Sequence, residues 1–285
     1  MKFKLKIGVF IILSVMICIL SVSASDIFVS ESSSNNGLAA TDSASITIYI
    51  KNSSGTSISG KVQLYYASGT YYEYNVPTGG LKITGLTANK QYGFNIIADG
   101  YAKDTTFQLI PAAGANTTKT FTLKSYSSFP NFSAPLTSYT APSQASNQHF
   151  GWRNNDGLDY HTGVDISRTS NGTSFASVLP NAYSVCNGII KRNEFVAGAG
   201  NVVQIEYTNG TTYYISYLHL KEASCGSTGE AISVGEVVGI VGNTLNSSTV
   251  GDASMPVHLH ISVSTNTSIS KTSRKFLDPK AFELY

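Results

Sequence analysis

Two histidines stand two residues apart in VHLHIS, residues 257–262, in a chain with five histidines among its 285 residues. In an extended strand side chains alternate between faces, so His258 and His260 project from one face and Val257, Leu259 and Ile261 from the other. A helix would turn the two rings about 200° apart, and the β-branched Val257, Ile261 and Val263 favour a strand. Such a face is a candidate metal or catalytic surface, or a polar strand face carrying two histidines by coincidence. A second stretch, YHTGVDIS, places His161 and Asp165 four residues apart. Fully extended, these would lie about 13 Å apart, too far to share one ion. The backbone must therefore bend, and Gly163 is the position that tolerates a turn. Folded in this way, the segment offers an imidazole nitrogen and a carboxylate oxygen. With one histidine of the later strand this makes a two-histidine, one-carboxylate set, which leaves a coordination position open for water as catalytic zinc sites do. A third stretch, SYLHL, sets His219 among apolar residues. Alone, such a histidine is more often structural than catalytic.

The elements that must position these residues read as short strands. Ile46, Ile48 and Ile50 alternate in SITIYIKNSSG, Val62, Leu64 and Tyr66 in GKVQLYY, and KTFTL closes with Phe121 and Leu123. Glycine and asparagine clusters separate these runs, and the pattern predicts a small β-sandwich over residues 25–125. It loosely resembles the prealbumin-like or carboxypeptidase-regulatory-type modules of secreted bacterial proteins. Tyr65, Tyr66, Tyr71, Tyr72 and Tyr74 are strand formers on a half-buried face or, if exposed, platforms for sugar rings. Residues 126–148 are polar and proline-bearing without periodicity, a linker or the irregular entry to the next domain. From His149 to Tyr285 strands return as NVVQIEY, TTYYISYLHL and EVVGIVG, and helical patterning is confined to the neighbourhood of Pro279–Leu284. The expected fold class is all-β throughout.

In chain order, H-x-x-x-D at 161–165, Y-x-H-L at 217–220 and H-L-H at 258–260 before an apolar strand resemble the lysostaphin/LytM-type zinc endopeptidases that cut peptidoglycan cross-bridges. FGWR at 150–153 and the glycine-rich VGEVVGIVGNT at 234–244 match the same family, and the similarity covers roughly residues 128–285. The resemblance implies an antiparallel LytM-type domain with His161, Asp165 and His260 as zinc ligands and His219 and His258 as the two catalytic histidines. It also implies peptidoglycan peptides as substrate. None of these five positions is substituted, so activity is expected. No H-E-x-x-H helix supplies a glutamate, which leaves a neutral imidazole at His258 or His219 as general base, the other serving the developing oxyanion. Two stretches, 167–188 and 243–256, are longer than the family's usual connections and would rim the cleft, affecting substrate choice. His149 matches no required position and reads as structural or surface. Asp156 and Asp159 are exposed loop acids or partners that orient His161. Tyr217, two before His219, would share its face and help to polarise a substrate carbonyl. Trp152 and Tyr213, Tyr214 and Tyr217 otherwise read as core or cleft wall.

Lys2, Lys4 and Lys6, the apolar run IGVFIILSVMICIL and SVSA ending at Ala24 read as a secretory signal over residues 1–24, with an uncleaved anchor as the alternative. Without those three lysines the formal charge of +2 becomes −1, and no basic patch calls for nucleic acid. Export leaves Cys186 and Cys225 as a disulfide or as two structural thiols. The leading reading is a secreted, wall-associated zinc endopeptidase whose N-terminal β-domain is a spacer or binds glycan or wall. The competitors are a non-catalytic wall-binding or adhesion protein and a non-haem iron oxygenase, since two histidines and a carboxylate also describe a facial triad.

Overall fold

A computed structural model describes residues 25–28, 43–66, 71–143, 147–155, 157–247 and 255–285. The leader at 1–24, Asp156 and residues 248–254 of the second long connection lie outside the described residues. The chain is almost all β, as its alternating patterns indicate. Among the described residues no helix is long and apolar enough to cross a membrane.

The first eight strands are β1 (Ser25–Phe28), β2 (Ser43–Asn52), β3 (Gly60–Tyr66), β4 (Tyr71–Val76), β5 (Leu81–Thr87), β6 (Tyr92–Ile97), β7 (Gln108–Leu109) and β8 (Asn116–Leu123). They form two four-stranded sheets, β1-β5-β2-β8 and β4-β3-β6-β7. The alternating residues read from the sequence are the ones buried: Ile46, Ile48 and Ile50 of β2 join Val62, Leu64, Phe94, Ile96, Phe121 and Leu123 in one core. Each such side chain contributes about 1.5–3 kcal/mol through removal from water.

The later strands are β9 (Gly151–Asn154), β10 (Leu158–His161), β11 (Val164–Ile166), β12 (Asn181–Tyr183), β13 (Gly188–Val196), β14 (Gly200–Asn209), β15 (Thr211–Leu220), β16 (Glu222–Ala223), β17 (Ala231–Ile232), β18 (Val237–Ile240), β19 (Leu259–Ser264) and β20 (Phe276–Leu277). A seven-stranded sheet runs β11-β19-β15-β14-β13-β17, with β20 paired to β19. β9 and β10 form a separate hairpin, and β12-β18-β16 a small third sheet. One face of the large sheet is apolar: Val203, Ile205, Ile215, Tyr217, Leu259, Ile261 and Val263 build its core. The site lies on the other face, at the β11-β19-β15 end.

Helical structure is slight. Phe175–Val178 makes one α-turn within the first long connection, capped by the Ser174 hydroxyl, which accepts from the Ala176 N–H. Pro279–Phe282 is a 3₁₀ turn. Cys186 is buried, Cys225 half-buried, and both are free thiols, the second of the two alternatives left by the sequence.

Candidate metal centre and active site

The bend expected between His161 and Asp165 is present, with His161 closing β10 and Asp165 sitting mid-way along β11. Its cause differs from the expectation. Gly163 has no left-handed backbone; it is required because a Cβ there would lie 2.2 Å from the Ile261 carbonyl oxygen and 2.8 Å from His260 Nε2. Glycine thus lets the connection pass directly over β19. In the antiparallel pairing of β11 with β19, Asp165 stands directly opposite His260. His161 Nε2 then lies 3.1 Å from Asp165 Oδ1 and 3.0 Å from His260 Nδ1, and His260 Nδ1 lies 2.9 Å from Asp165 Oδ1.

Counting protons shows what such a triangle can hold. His161 Nδ1 lies 2.8 Å from the His149 carbonyl oxygen, which can only accept, so this nitrogen carries the ring proton and Nε2 is a bare lone pair. His260 Nε2 lies 3.1 Å from Thr162 Oγ1, which can accept its proton and leave Nδ1 bare as well. Two lone pairs and a carboxylate oxygen then converge, and at most one proton of His260 could lie among them. Three contacts this short are not all hydrogen bonds; a cation satisfies all of them. Two nitrogens and one oxygen are an ordinary donor set for zinc. Burial by itself would raise the Asp165 carboxyl, but the adjacent imidazoles of His161, His258 and His260 hold it well below the usual carboxylate range. It is therefore an anion at neutral pH.

His258 and His219 stand beside this triangle. Their ring centroids are 5.0 Å apart, and His219 lies 5.9 Å from His260. His258 Nδ1 donates to the Pro256 carbonyl at 2.7 Å and His219 Nδ1 to the Thr244 carbonyl at 2.9 Å, which bares Nε2 of both rings. His258 Nε2 is 3.5 Å from Asp165 Oδ1. Burial depresses the His219 imidazole to about 3 and that of His260 to about 4, so both rings are neutral bases at neutral pH. The segment Gly242–Thr244 ties the pair together: the Gly242 carbonyl accepts the His258 N–H at 3.1 Å, and the Thr244 carbonyl holds the His219 ring. A Cβ at Gly242 would lie 2.8 Å from the His219 carbonyl oxygen.

His219 reaches the cleft through an irregularity. Tyr217 pairs with Ile261 and points into the core, so simple alternation would send His219 there too. The ladder between β14 and β15 shifts register between Asn201 and Val203, and His219 has φ +63°. This bulge turns the imidazole to the opposite face. The expectation that Tyr217 shares the face of His219 is therefore overturned. The Tyr217 hydroxyl is fully buried, donates to the Tyr183 carbonyl at 3.0 Å and accepts from the Val185 N–H at 3.1 Å, beyond the reach of any substrate. Asp159 is likewise no partner of His161. It bridges Arg153 at 3.1 Å and Lys271 at 2.7 Å.

Two contributors were not among the candidate site residues. One is the carbonyl of His149, whose backbone rather than its ring holds His161. The other is Arg153 of FGWR, whose Nη1 approaches Asp165 Oδ2 at 3.7 Å. The whole opens into a cavity of about 710 Å³. Arg153, Asp159 and Lys271 lie on its polar side, and Val196, Ala199, Leu218 and Ile269 form an apolar cluster on another.

Comparison with known proteins places this arrangement. Residues 159–271 match the family model described as Peptidase family M23. No curated protein matches the chain. Among solved structures, the catalytic domain of the antimicrobial peptidase lysostaphin from Staphylococcus simulans is 21% identical over 50% of this chain and 91% of that one, with a TM-score of 0.37. A zinc containing peptidase from Vibrio cholerae is 16% identical over 71% of this chain and 51% of that one, at 0.34. The SpoIIQ–SpoIIIAH pore forming complex gives 17% over 54% of this chain and 90% of that one, at 0.36. The segment 159–271, which contains His161, Asp165, His219, His258 and His260, matches peptidase family M23, and its motifs resemble those of the LytM-type peptidases.

Proposed function

We propose that the chain is a secreted zinc metalloendopeptidase that hydrolyses peptide bonds in the stem or cross-bridge peptides of peptidoglycan. The observation that carries this reading is the convergence of His161 Nε2, Asp165 Oδ1 and His260 Nδ1 at 2.9–3.1 Å beside two further imidazoles with bare Nε2 atoms. The match of residues 159–271 to peptidase family M23 supports the peptidase chemistry, and the mixed apolar and charged cavity suits an extended peptide.

His161, Asp165 and His260 would hold the ion, which when bound supplies Lewis acidity and an activated water. The remaining chemistry belongs to the protein. His219, neutral, and His258, each with Nδ1 held by a backbone carbonyl, present Nε2 to the cleft. One accepts a proton from the attacking water and returns it to the leaving amine; the other, with a proton drawn from solvent on Nε2, donates to the carbonyl oxygen as it gains charge. In either role the Nδ1–H bond to a carbonyl strengthens as the ring becomes cationic, which steadies the imidazolium. The carbonyl of His149 fixes the plane of His161, and Thr162 fixes that of His260.

The test is a digest of purified cross-linked peptidoglycan by the mature protein, with and without a chelator, followed by mass spectrometry of the released fragments. The expected result is new peptide termini that disappear with chelator, and their masses identify the bond cut. Tight wall binding without cleavage would favour an adhesion protein, and iron with 2-oxoacid-dependent oxygen uptake an oxygenase.

A further inference from the structure

We infer that the N-terminal sheets are a fixed buttress of the metal centre, with Asn95, Tyr65 and Lys103 acting as positioning residues for His161. This inference rests on the metal-site reading above and extends it to a region that a spacer or wall-binding role would leave uninvolved.

The path starts at His161. Its ring is oriented by the His149 carbonyl at 2.8 Å, and its backbone is paired with Gly151 in the β9–β10 hairpin. Residues 149–152 thus set where this ligand lies, and this segment is gripped by the N-terminal sheets along its length. The Asn95 amide binds Trp152 as another strand would: Nδ2 donates to the Trp152 carbonyl at 2.9 Å, and Oδ1 accepts from the Trp152 N–H at 2.8 Å. Lys103 Nζ donates to the Phe150 carbonyl at 2.9 Å. The His149 ring is fixed at both nitrogens, by the Phe150 carbonyl at 2.9 Å and the Tyr65 hydroxyl at 3.3 Å. With Nδ1–H committed to a carbonyl, Nε2 must accept, so Tyr65 is the donor.

Packing leaves this grip little play. A Cβ on Gly93 of β6 would lie 2.1 Å from the Trp152 ring, and one on Gly151 would lie 2.5 Å from Thr105 and 2.6 Å from Asn95. The Trp152 indole N–H donates to the Phe107 carbonyl at 3.1 Å, and the hydroxyls of Thr105 and Tyr160 lie 2.9 Å apart. Tyr65, Phe150, Trp152, Tyr160 and Phe276 form one buried cluster across the boundary. Asn95 is completely buried and Tyr65, Lys103 and His149 nearly so. Buried polar groups such as these cost free energy unless partnered, and here their partners are the backbone groups next to the candidate ligand. A tethered spacer needs none of this. The arrangement is that of an outer layer which fixes metal-ligand orientation, built by a different part of the chain.

The test uses the full mature chain and three variants: Asn95→Ala, Tyr65→Phe and, as a control in the N-terminal core away from the boundary, Ile48→Val. Zinc affinity is measured by competition with a chromophoric chelator, the cobalt-substituted visible spectrum reports ligand geometry, and thermal melting verifies folding. Asn95→Ala is expected to weaken zinc binding about 10–100-fold, the range for loss of outer partners of metal ligands, and to alter the cobalt spectrum. Tyr65→Phe is expected at the low end of that range. Ile48→Val lowers the melting temperature with zinc affinity unchanged. Wild-type affinity in both boundary variants overturns this inference alone; absence of zinc binding by the unmodified chain overturns it together with the metal-site reading. If Asn95→Ala does not fold, Tyr65→Phe, which deletes a single oxygen, decides.

Discussion

The sheets over residues 43–123 and the β11-β19-β15 corner are built from the same kind of strand, yet they treat their rules differently. In the first, apolar side chains fill the core from both sheets, with a register shift between Ala44 and Ile46 and a left-handed backbone at Asn89. In the second, four histidines are buried, a connection crosses β19 at a distance only glycine allows, and a non-glycine residue adopts a left-handed backbone. Such a conformation costs of order 1–3 kcal/mol. Both regions depart from regularity; in the second the departures bring titratable side chains to one point.

The largest effects should come from breaking the convergence. Asp165→Ala or His260→Ala should lose both zinc and peptidoglycan cleavage, checked by metal analysis and fragment release. His219→Ala and His258→Ala should retain zinc while kcat falls roughly 10²–10⁴-fold, as for a lost general acid or base. Zinc loss in these two instead would make them ligands.

The close crossing gives the next prediction. Gly163→Ala forces a methyl against the Ile261 carbonyl and should cost about 1–3 kcal/mol by urea unfolding, typical of overpacking. The corresponding change at an open turn such as Gly55, where no atom lies within 4 Å of a built Cβ but φ is +82°, should show only backbone strain.

Buried imidazoles make the corner acid-sensitive. His149 and His219 are depressed to about 3 and His260 to about 4, from an ordinary 6.5, chiefly by burial. Between those values the unfolded chain binds more protons than the folded one, so stability is full above about 6.5 and falls as pH drops towards 4. The slope is about 1.4 kcal/mol per pH unit for each proton taken up. Thermal melts of the metal-free protein from pH 8 to 4.5 check this, and a flat profile would contradict the burial of these rings.

The smallest effect sharpens the account of His219. His219→Gly should be more stable than His219→Ala by about 1 kcal/mol, because only glycine occupies φ +63° without penalty, while both lack activity.

How much of this was legible follows from where each instruction resides. The strand period put Ile46, Ile48 and Ile50 inside and His258 with His260 on one face, because both depend on side-chain type and spacing. His219 was legible as a motif position, but its face was not, since a bulge is a ladder event without a local residue signature; Tyr217 was misplaced for the same reason. The need for Gly163 was legible and its reason was not, because Ile261 arrives from almost a hundred residues away. The carbonyls of His149, Thr244 and Pro256, which set three ring tautomers, are backbone atoms and leave no mark in residue identity. Asp159, an exposed loop acid or a partner of His161 by its sequence, is instead held by Arg153 and Lys271.

The most direct test of the central claim is a crystal structure of the zinc-loaded protein with anomalous data collected across the zinc absorption edge. The account predicts one strong peak bonded to His161 Nε2, Asp165 Oδ1 and His260 Nδ1 at about 2.0–2.2 Å, with His219 and His258 uncoordinated. A peak elsewhere, or an ion bound through His219 or His258, would contradict it.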